Sequence, residues 1–144
     1  MVRLETWRRV LRKGILLGVG APALTALLEA LQKDDPRIIQ GVTTDPPPLI
    51  AVESWDCKGA CALGFIAMAE GKRSVGEVEL RFAKLCQDAD FFLGATMEEG
   101  SPVGGKVRPF LNWFDQTPRD EMRRELGAEV KMELDRRNRP RLAA

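Results

Sequence analysis

The sequence predicts a mainly α fold, a compact single-domain bundle of five to six helices with a proline-rich connector. Apolar residues recur at spacings of three and four along several stretches, and helix start and stop signals flank these stretches. The only strand-like run, residues 49–53, is very short. At 144 residues the chain is long enough for one domain with its own core.

Residues 1–41 are predicted to form an N-terminal helical part. A first helix places Leu4, Trp7 and Leu11 on one stripe, so Trp7 is expected to be buried. A second helix carries an apolar face and is expected to end at Pro36; the face consists of Leu24, Leu27, Leu28 and Leu31.

Residues 42–54 are predicted to be a proline-rich connector. The three consecutive prolines at 46–48 favour an extended conformation and cannot join a helix. We interpret them as a stiff link between the helical parts, with a docking motif for a proline-reading domain as the alternative.

Residues 55–138 are predicted to form the main helical part, followed by a basic tail over 139–144. One small-residue helix is expected from Trp55 to Gly71, with Asp56 as its N-cap. Ser74 and Glu77 match a capping box that opens a helix closed by Gly94, with Glu77 able to pair with Arg81. The apolar face of this helix would be Val75, Val78, Phe82, Leu85, Ala89 and Phe92.

The last helix is predicted to begin after Thr117, which would cap it, with Pro118 at the first helical position. It would run to about Arg137 with a narrow apolar stripe formed by Met122, Leu126, Val130 and Leu134. Its interleaved acidic and basic side chains are typical of a solvated helix surface.

Composition excludes several classes of function. The chain has no histidine, which removes the commonest general base and metal ligand. Its net charge is +1, so it has no strong overall field for nucleic acids or acidic membranes. We therefore expect no cofactor and no metal, and an enzyme is the less favoured interpretation.

Cys57 and Cys61 are interpreted as structural residues, and Cys86 as a core residue. The alternative is a thiol-based redox or metal protein. If a helix began near Asp56, its dipole and Lys58 would lower the pKa of the Cys57 thiol, and Asp56 could complete a three-cysteine metal site.

Basic residues gather at both ends of the chain and suggest contacts with phosphates. The predicted nucleic-acid-binding residues are Arg8, Arg9, Arg12, Lys13, Arg136, Arg137 and Arg139. The chain lacks a recognisable nucleic-acid-binding motif, so this function is held as an alternative. The segment at 100–106, GSPVGGK, lacks the full spacing of a phosphate-binding loop and is predicted to be a connector.

An aromatic cluster precedes the last helix. Phe110, Trp113 and Phe114 share one helical face, which predicts a core position. The alternative is a partner-binding surface, because tryptophan and arginine are enriched at interface hot spots. That surface would consist of Arg108, Phe110, Trp113, Phe114, Arg119 and Arg123.

From these features we expect a small non-enzymatic adaptor or regulatory protein that acts through contacts with another protein. We expect it in the cytoplasm. The alternative is export, because Arg8–Arg9 followed by an apolar run resembles a twin-arginine signal. That run is too short and too interrupted by glycine and proline to span a membrane.

Overall fold

The computed structural model describes residues 6–94 and 105–139. Within these ranges six α-helices follow one another as α1 (Thr6–Lys13), α2 (Ala21–Lys33), α3 (Ala62–Ala69), α4 (Val75–Phe92), α5 (Arg108–Gln116) and α6 (Arg119–Arg137). Two short 3-10 helices cover Ile15–Gly18 and Ile50–Val52. The predicted mainly α, single-domain fold is confirmed.

One hydrophobic core joins residues from both sides of the proline stretch. Helix α1 packs on α5, and α2 packs on both α3 and α6. Trp7 is buried, as predicted, and stacks on Trp113 with ring centroids 3.5 Å apart. On α2, Leu24, Leu27 and Leu31 are buried as the sequence pattern predicted. The N-terminal part therefore belongs to the same core as α3–α6.

The strand-like run at residues 49–53 does not form a strand. The backbone turns there into the 3-10 helix at Ile50–Val52, where the Val52 N–H donates to the Leu49 carbonyl over 3.0 Å. An antiparallel pair instead joins β1 (Thr44–Asp45) to β2 (Gly59–Ala60). An apolar run this short forms a strand only if a neighbouring strand is available to pair with it.

The helix predicted from Trp55 to Gly71 begins seven residues late, because α3 covers only Ala62–Ala69. Residues 57–61 are held outside the helix by backbone bonds to other segments: the Cys57 N–H donates to the Arg73 carbonyl, and the Cys61 N–H to that of Thr43. The same segment also approaches Arg37, whose carbonyl accepts from the Ala60 N–H, and a Cβ on Gly59 would lie 3.0 Å from that carbonyl oxygen. Asp56 is therefore not an N-cap.

Helix α4 has the predicted capping box, with Ser74 and Glu77 bonding each other's backbone N–H groups. Its closing residue Gly94 has a φ of +94°, which favours glycine. Phe92 was expected in the core, but it is 46% exposed because its position lies at the edge of the apolar face. Arg81 binds Glu70 rather than Glu77, at 2.7 Å.

The start of α6 differs from the prediction by one residue. Pro118 occupies the N-cap position, and no side chain caps the helix. Thr117 instead closes α5, because its hydroxyl and its backbone N–H both donate to the Trp113 carbonyl. The stripe on α6 is as predicted for Met122, Leu126 and Val130, which are buried, while Leu134 is partly buried against the core.

Candidate functional site

The aromatic cluster of α5 lies inside the protein. Phe110 and Phe114 are each 1% exposed, and Trp113 is partly buried against the core and Trp7. The core interpretation of Phe110 and Phe114 is therefore confirmed. These two side chains are not available to a partner, and we do not place a docking surface here.

Two arginines suggested as partner-binding residues join α6 to the end of α2. Arg119 donates to the carbonyls of Ile38 and Asp35 and pairs with Asp34 at 2.7 Å. Arg123 donates to the carbonyls of Leu31 and Gln32. These carbonyls lie in and just beyond the last turn of α2, where a helix leaves its acceptors unpaired. Arg108, by contrast, is exposed.

Some of the basic residues at the two ends of the chain bind other groups within the protein. Glu129 is 2% exposed and accepts from Arg12 Nε at 2.6 Å and from Arg8 Nη1 at 2.9 Å. Arg137 donates to the carbonyls of Leu16 and Val19 at the end of the first 3-10 helix. Donors used in this way are not free for phosphates.

The other predicted nucleic-acid-binding residues are more exposed to solvent. Arg9, Lys13 and Arg139 are exposed, and Arg136 pairs with Glu133 at 2.7 Å. A nucleic-acid-binding role for the two ends stays a prediction. The glycine-rich segment 100–106 lies largely outside the described residues; of its described part, the Lys106 N–H donates to Asp90 over 2.9 Å.

All three cysteines are free and buried. Burial raises the pKa of the Cys61 thiol to about 11 and that of Cys86 to about 12. The pKa of Cys57 is also raised, chiefly by burial, and its thiol donates to the Gly59 carbonyl. The lowered Cys57 pKa expected from a helix start is wrong because Cys57 is buried and lies outside α3, which begins at Ala62. In the described part of the chain, no group of three or more cysteine and carboxylate side chains could hold a metal ion.

A groove between the proline stretch and α4 is the candidate site that the sequence analysis did not identify. It is open to solvent and has a volume of about 450 Å³. We call it the proline–α4 groove; it is lined by Pro48, Leu49, Glu53, Val75, Gly76, Glu79, Leu80 and Ala83. A second hollow shares Glu53, Gly76 and Leu80 with it and extends past Ser54, Ser74 and Glu77.

The two walls of the groove are joined by backbone hydrogen bonds. The Val75 N–H donates to the Trp55 carbonyl and the Gly76 N–H to the Glu53 carbonyl, each over 2.9 Å. The Glu77 N–H donates to the Ser74 hydroxyl over 3.1 Å. These contacts fix residues 53–55 against the first turn of α4 and also satisfy donors that a helix N-terminus leaves unpaired.

Large apolar side chains are exposed at this groove. Leu80 is 75% exposed and Leu49 is 65% exposed, and both line it. Trp55, whose carbonyl binds the Val75 N–H, is 58% exposed. Single exposed apolar residues are common, but two large ones that line one concave surface, as Leu49 and Leu80 do, are typical of a binding site.

Carboxylates are the only charged groups lining the groove and its extension, among the residues the structure describes. Glu53 and Glu79 make no ion pair within the described ranges. Glu77 is held by the capping box, and its pKa is lowered first by hydrogen bonding to the Ser74 backbone and then by the Ser74 hydroxyl. The groove therefore combines apolar surface with negative charge.

A signal for this site was present in the sequence. Leu80 lies outside the apolar spacing of α4, which placed it on the solvent side of the helix, and Leu49 follows three prolines. What the sequence could not provide is the contact between these two segments, which lie about thirty residues apart in the chain.

No helix among the described residues is both long enough and apolar enough to cross a membrane. Comparison of the chain with protein-family models, with curated proteins and with solved structures finds no match.

Proposed function

We propose that this chain is a small non-enzymatic adaptor or regulatory protein that binds a protein partner through the proline–α4 groove. The observation that carries the proposal is that Leu80 and Leu49, 75% and 65% exposed, line one groove from its two walls. Covering a leucine side chain contributes roughly 1.5–3 kcal/mol, so Leu80 and Leu49 could together anchor a partner.

The shape and surroundings of the groove support binding rather than catalysis. Its volume of about 450 Å³ accommodates a few side chains of a partner segment. Its walls are fixed by backbone hydrogen bonds, so little ordering is needed when a partner binds.

The proposal is tested by substituting Leu80→Glu in the full chain and comparing partner recovery from cells of the source organism. The matched control is Leu17→Glu, since Leu17 is also an exposed leucine but does not line the groove. We expect a stoichiometric partner with the wild type and the control and its loss with Leu80→Glu, with all three proteins equally folded by circular dichroism. Equal recovery by all three would contradict the proposal.

We also propose that residues 6–33 stay with the folded protein in the cytoplasm rather than leaving as an export signal. Leu24, Leu27 and Leu31 are buried in the common core, so cleavage after this segment would expose the surfaces they cover. N-terminal sequencing of the protein from its own cells tests this proposal. A mature protein that lacks part or all of residues 6–33 would overturn it.

A further inference from the structure

We propose that the partner segment of the proline–α4 groove carries lysine or arginine next to apolar side chains. This inference rests on the proposed function, because it names the chemistry of the partner at the same surface. The groove presents the apolar side chains of Leu49 and Leu80 beside the carboxylates of Glu53 and Glu79. A cationic segment with an apolar anchor matches both features at once.

Glu53 and Glu79 differ from other carboxylates without an ion pair in the described ranges, such as Glu29 and Glu121, because they line an apolar groove. Many other acidic side chains of the described ranges are held by arginine or lysine at 3.4 Å or less, and these include Asp34, Asp35, Glu70, Asp88, Asp120, Glu125, Glu129, Glu133 and Asp135. Glu53 and Glu79 make no such pair with any described residue, and both line the proline–α4 groove beside Leu49 and Leu80. The partner therefore meets negative charge that the fold itself does not neutralise.

An anionic partner is disfavoured by the same contacts. The first backbone N–H groups of α4 would be the natural donors to a phosphate or carboxylate. Those of Val75, Gly76 and Glu77 already donate to Trp55, Glu53 and Ser74. A phosphate or an acidic peptide would thus meet carboxylates without compensating donors.

The positions of the charged residues predict how the partner motif is built. Glu79 is adjacent to Leu80 on α4, and Glu53 lies on the opposite wall, where its carbonyl binds the Gly76 N–H. Basic and apolar side chains must therefore lie close together in the partner, since the leucines and the carboxylates line the same groove.

The experiment is a selection of random-sequence peptides displayed in a library against the full-length protein, with Leu80→Glu protein as the counter-selection target. We expect the recovered peptides to be enriched in lysine or arginine close to leucine, isoleucine or phenylalanine. Affinity of a recovered peptide should fall roughly twofold to thirtyfold in the double variant Glu53→Gln/Glu79→Gln, because each of the two exposed ion pairs contributes about 0.2–1 kcal/mol. It should fall further with added salt.

The control is Glu29→Gln/Glu121→Gln, which removes two exposed carboxylates that make no ion pair within the described ranges and do not line the groove. This variant should bind with unchanged affinity. Peptides that depend on Leu80 but are neutral or acidic, and bind the Glu53→Gln/Glu79→Gln protein equally well, would overturn the inference and leave the proposed function standing. A selection that yields no peptide dependent on Leu80 would overturn both this inference and the proposed function.

Discussion

The backbone N–H of Gly76 donates to the carbonyl of Glu53 over 2.9 Å at a point where a Cβ on residue 76 would lie 2.5 Å from Glu53 Cγ. The first turn of α4 and the segment after the proline stretch thus meet where there is no room for a side chain. Because both residues line the proline–α4 groove, this contact sets the width of the groove.

Substitution of Gly76→Ala should destabilise the protein by about 1–2 kcal/mol. Replacing glycine with alanine inside a helix normally raises the free energy of unfolding by up to about 1 kcal/mol. Here the alanine must displace Glu53 and weaken the hydrogen bond between the two walls. Urea unfolding followed by circular dichroism measures the change. An increase in the free energy of unfolding would mean that the two walls are not held at this distance.

Gly127→Ala is the matched substitution within α6 and should have the opposite effect. A Cβ at this position would meet only Leu28 Cδ1, at an ordinary 3.9 Å. The helix should therefore gain about 0.5–1 kcal/mol of stability from the higher helix propensity of alanine. The same unfolding measurement applies, and a loss of stability would show that α2 and α6 pack more tightly here than the structure shows.

Glu129→Gln should lower the free energy of unfolding by about 1–3 kcal/mol. Glu129 is buried between Arg8 and Arg12, but the side chains of these arginines are 21% and 36% exposed and can regain water, which reduces the cost of losing the pair. The control is Asp135→Asn, because Asp135 makes one exposed pair with Lys131 and should change stability by less than about 0.5 kcal/mol. Equal effects of the two substitutions would contradict this account.

The same ion pairs predict an acid-sensitive stability. Burial alone would raise the pKa of Glu129, but its hydrogen bonds and charge contacts with Arg12 and Arg8 outweigh burial and lower it below 4.5. A carboxylate with a lowered folded-state pKa contributes stability that is present above the unfolded value near 4.5 and lost as the pH falls through the folded value. As the pH is lowered through this range, the free energy of unfolding should fall less steeply for Glu129→Gln than for the wild type.

The three thiols should react slowly in the native protein. With a pKa of about 11, Cys61 is present as thiolate in only about one molecule in ten thousand at pH 7, and burial also blocks access. Labelling with iodoacetamide, followed by mass spectrometry, should modify all three cysteines rapidly only after unfolding. Rapid native labelling of Cys57 would revive the redox interpretation.

Local signals in the sequence were sufficient for much of the helical fold. The Ser74–Glu77 capping box, the stop at Gly94 and the leucine face of α2 depend on residues close together in the chain, and each is observed. The helix proposed from Trp55 failed because residues 57–61 are held by partners at Thr43 and Arg73, and contacts with other segments override local propensity.

The roles of the charged residues could not be derived from the sequence for a similar reason. Arg8 and Arg12 appeared to belong to a basic end, but their acidic partner Glu129 lies more than one hundred residues away in the chain. Only the packing of α1 against α6 brings these groups together. The groove could not be predicted because its two walls, the proline stretch and α4, are distant in the chain and meet only in the folded protein.

The measurement that tests the central claim most directly is photo-crosslinking from the groove in cells of the source organism. The photoreactive residue p-benzoylphenylalanine replaces Leu80 in one variant and Leu17, an exposed leucine that does not line the groove, in another. Crosslinked peptides are then sequenced by mass spectrometry. We predict one discrete partner segment, apolar and basic, crosslinked from position 80 and absent from position 17. The same crosslinks from both positions, or none from position 80, would contradict the assignment of the groove as the binding surface.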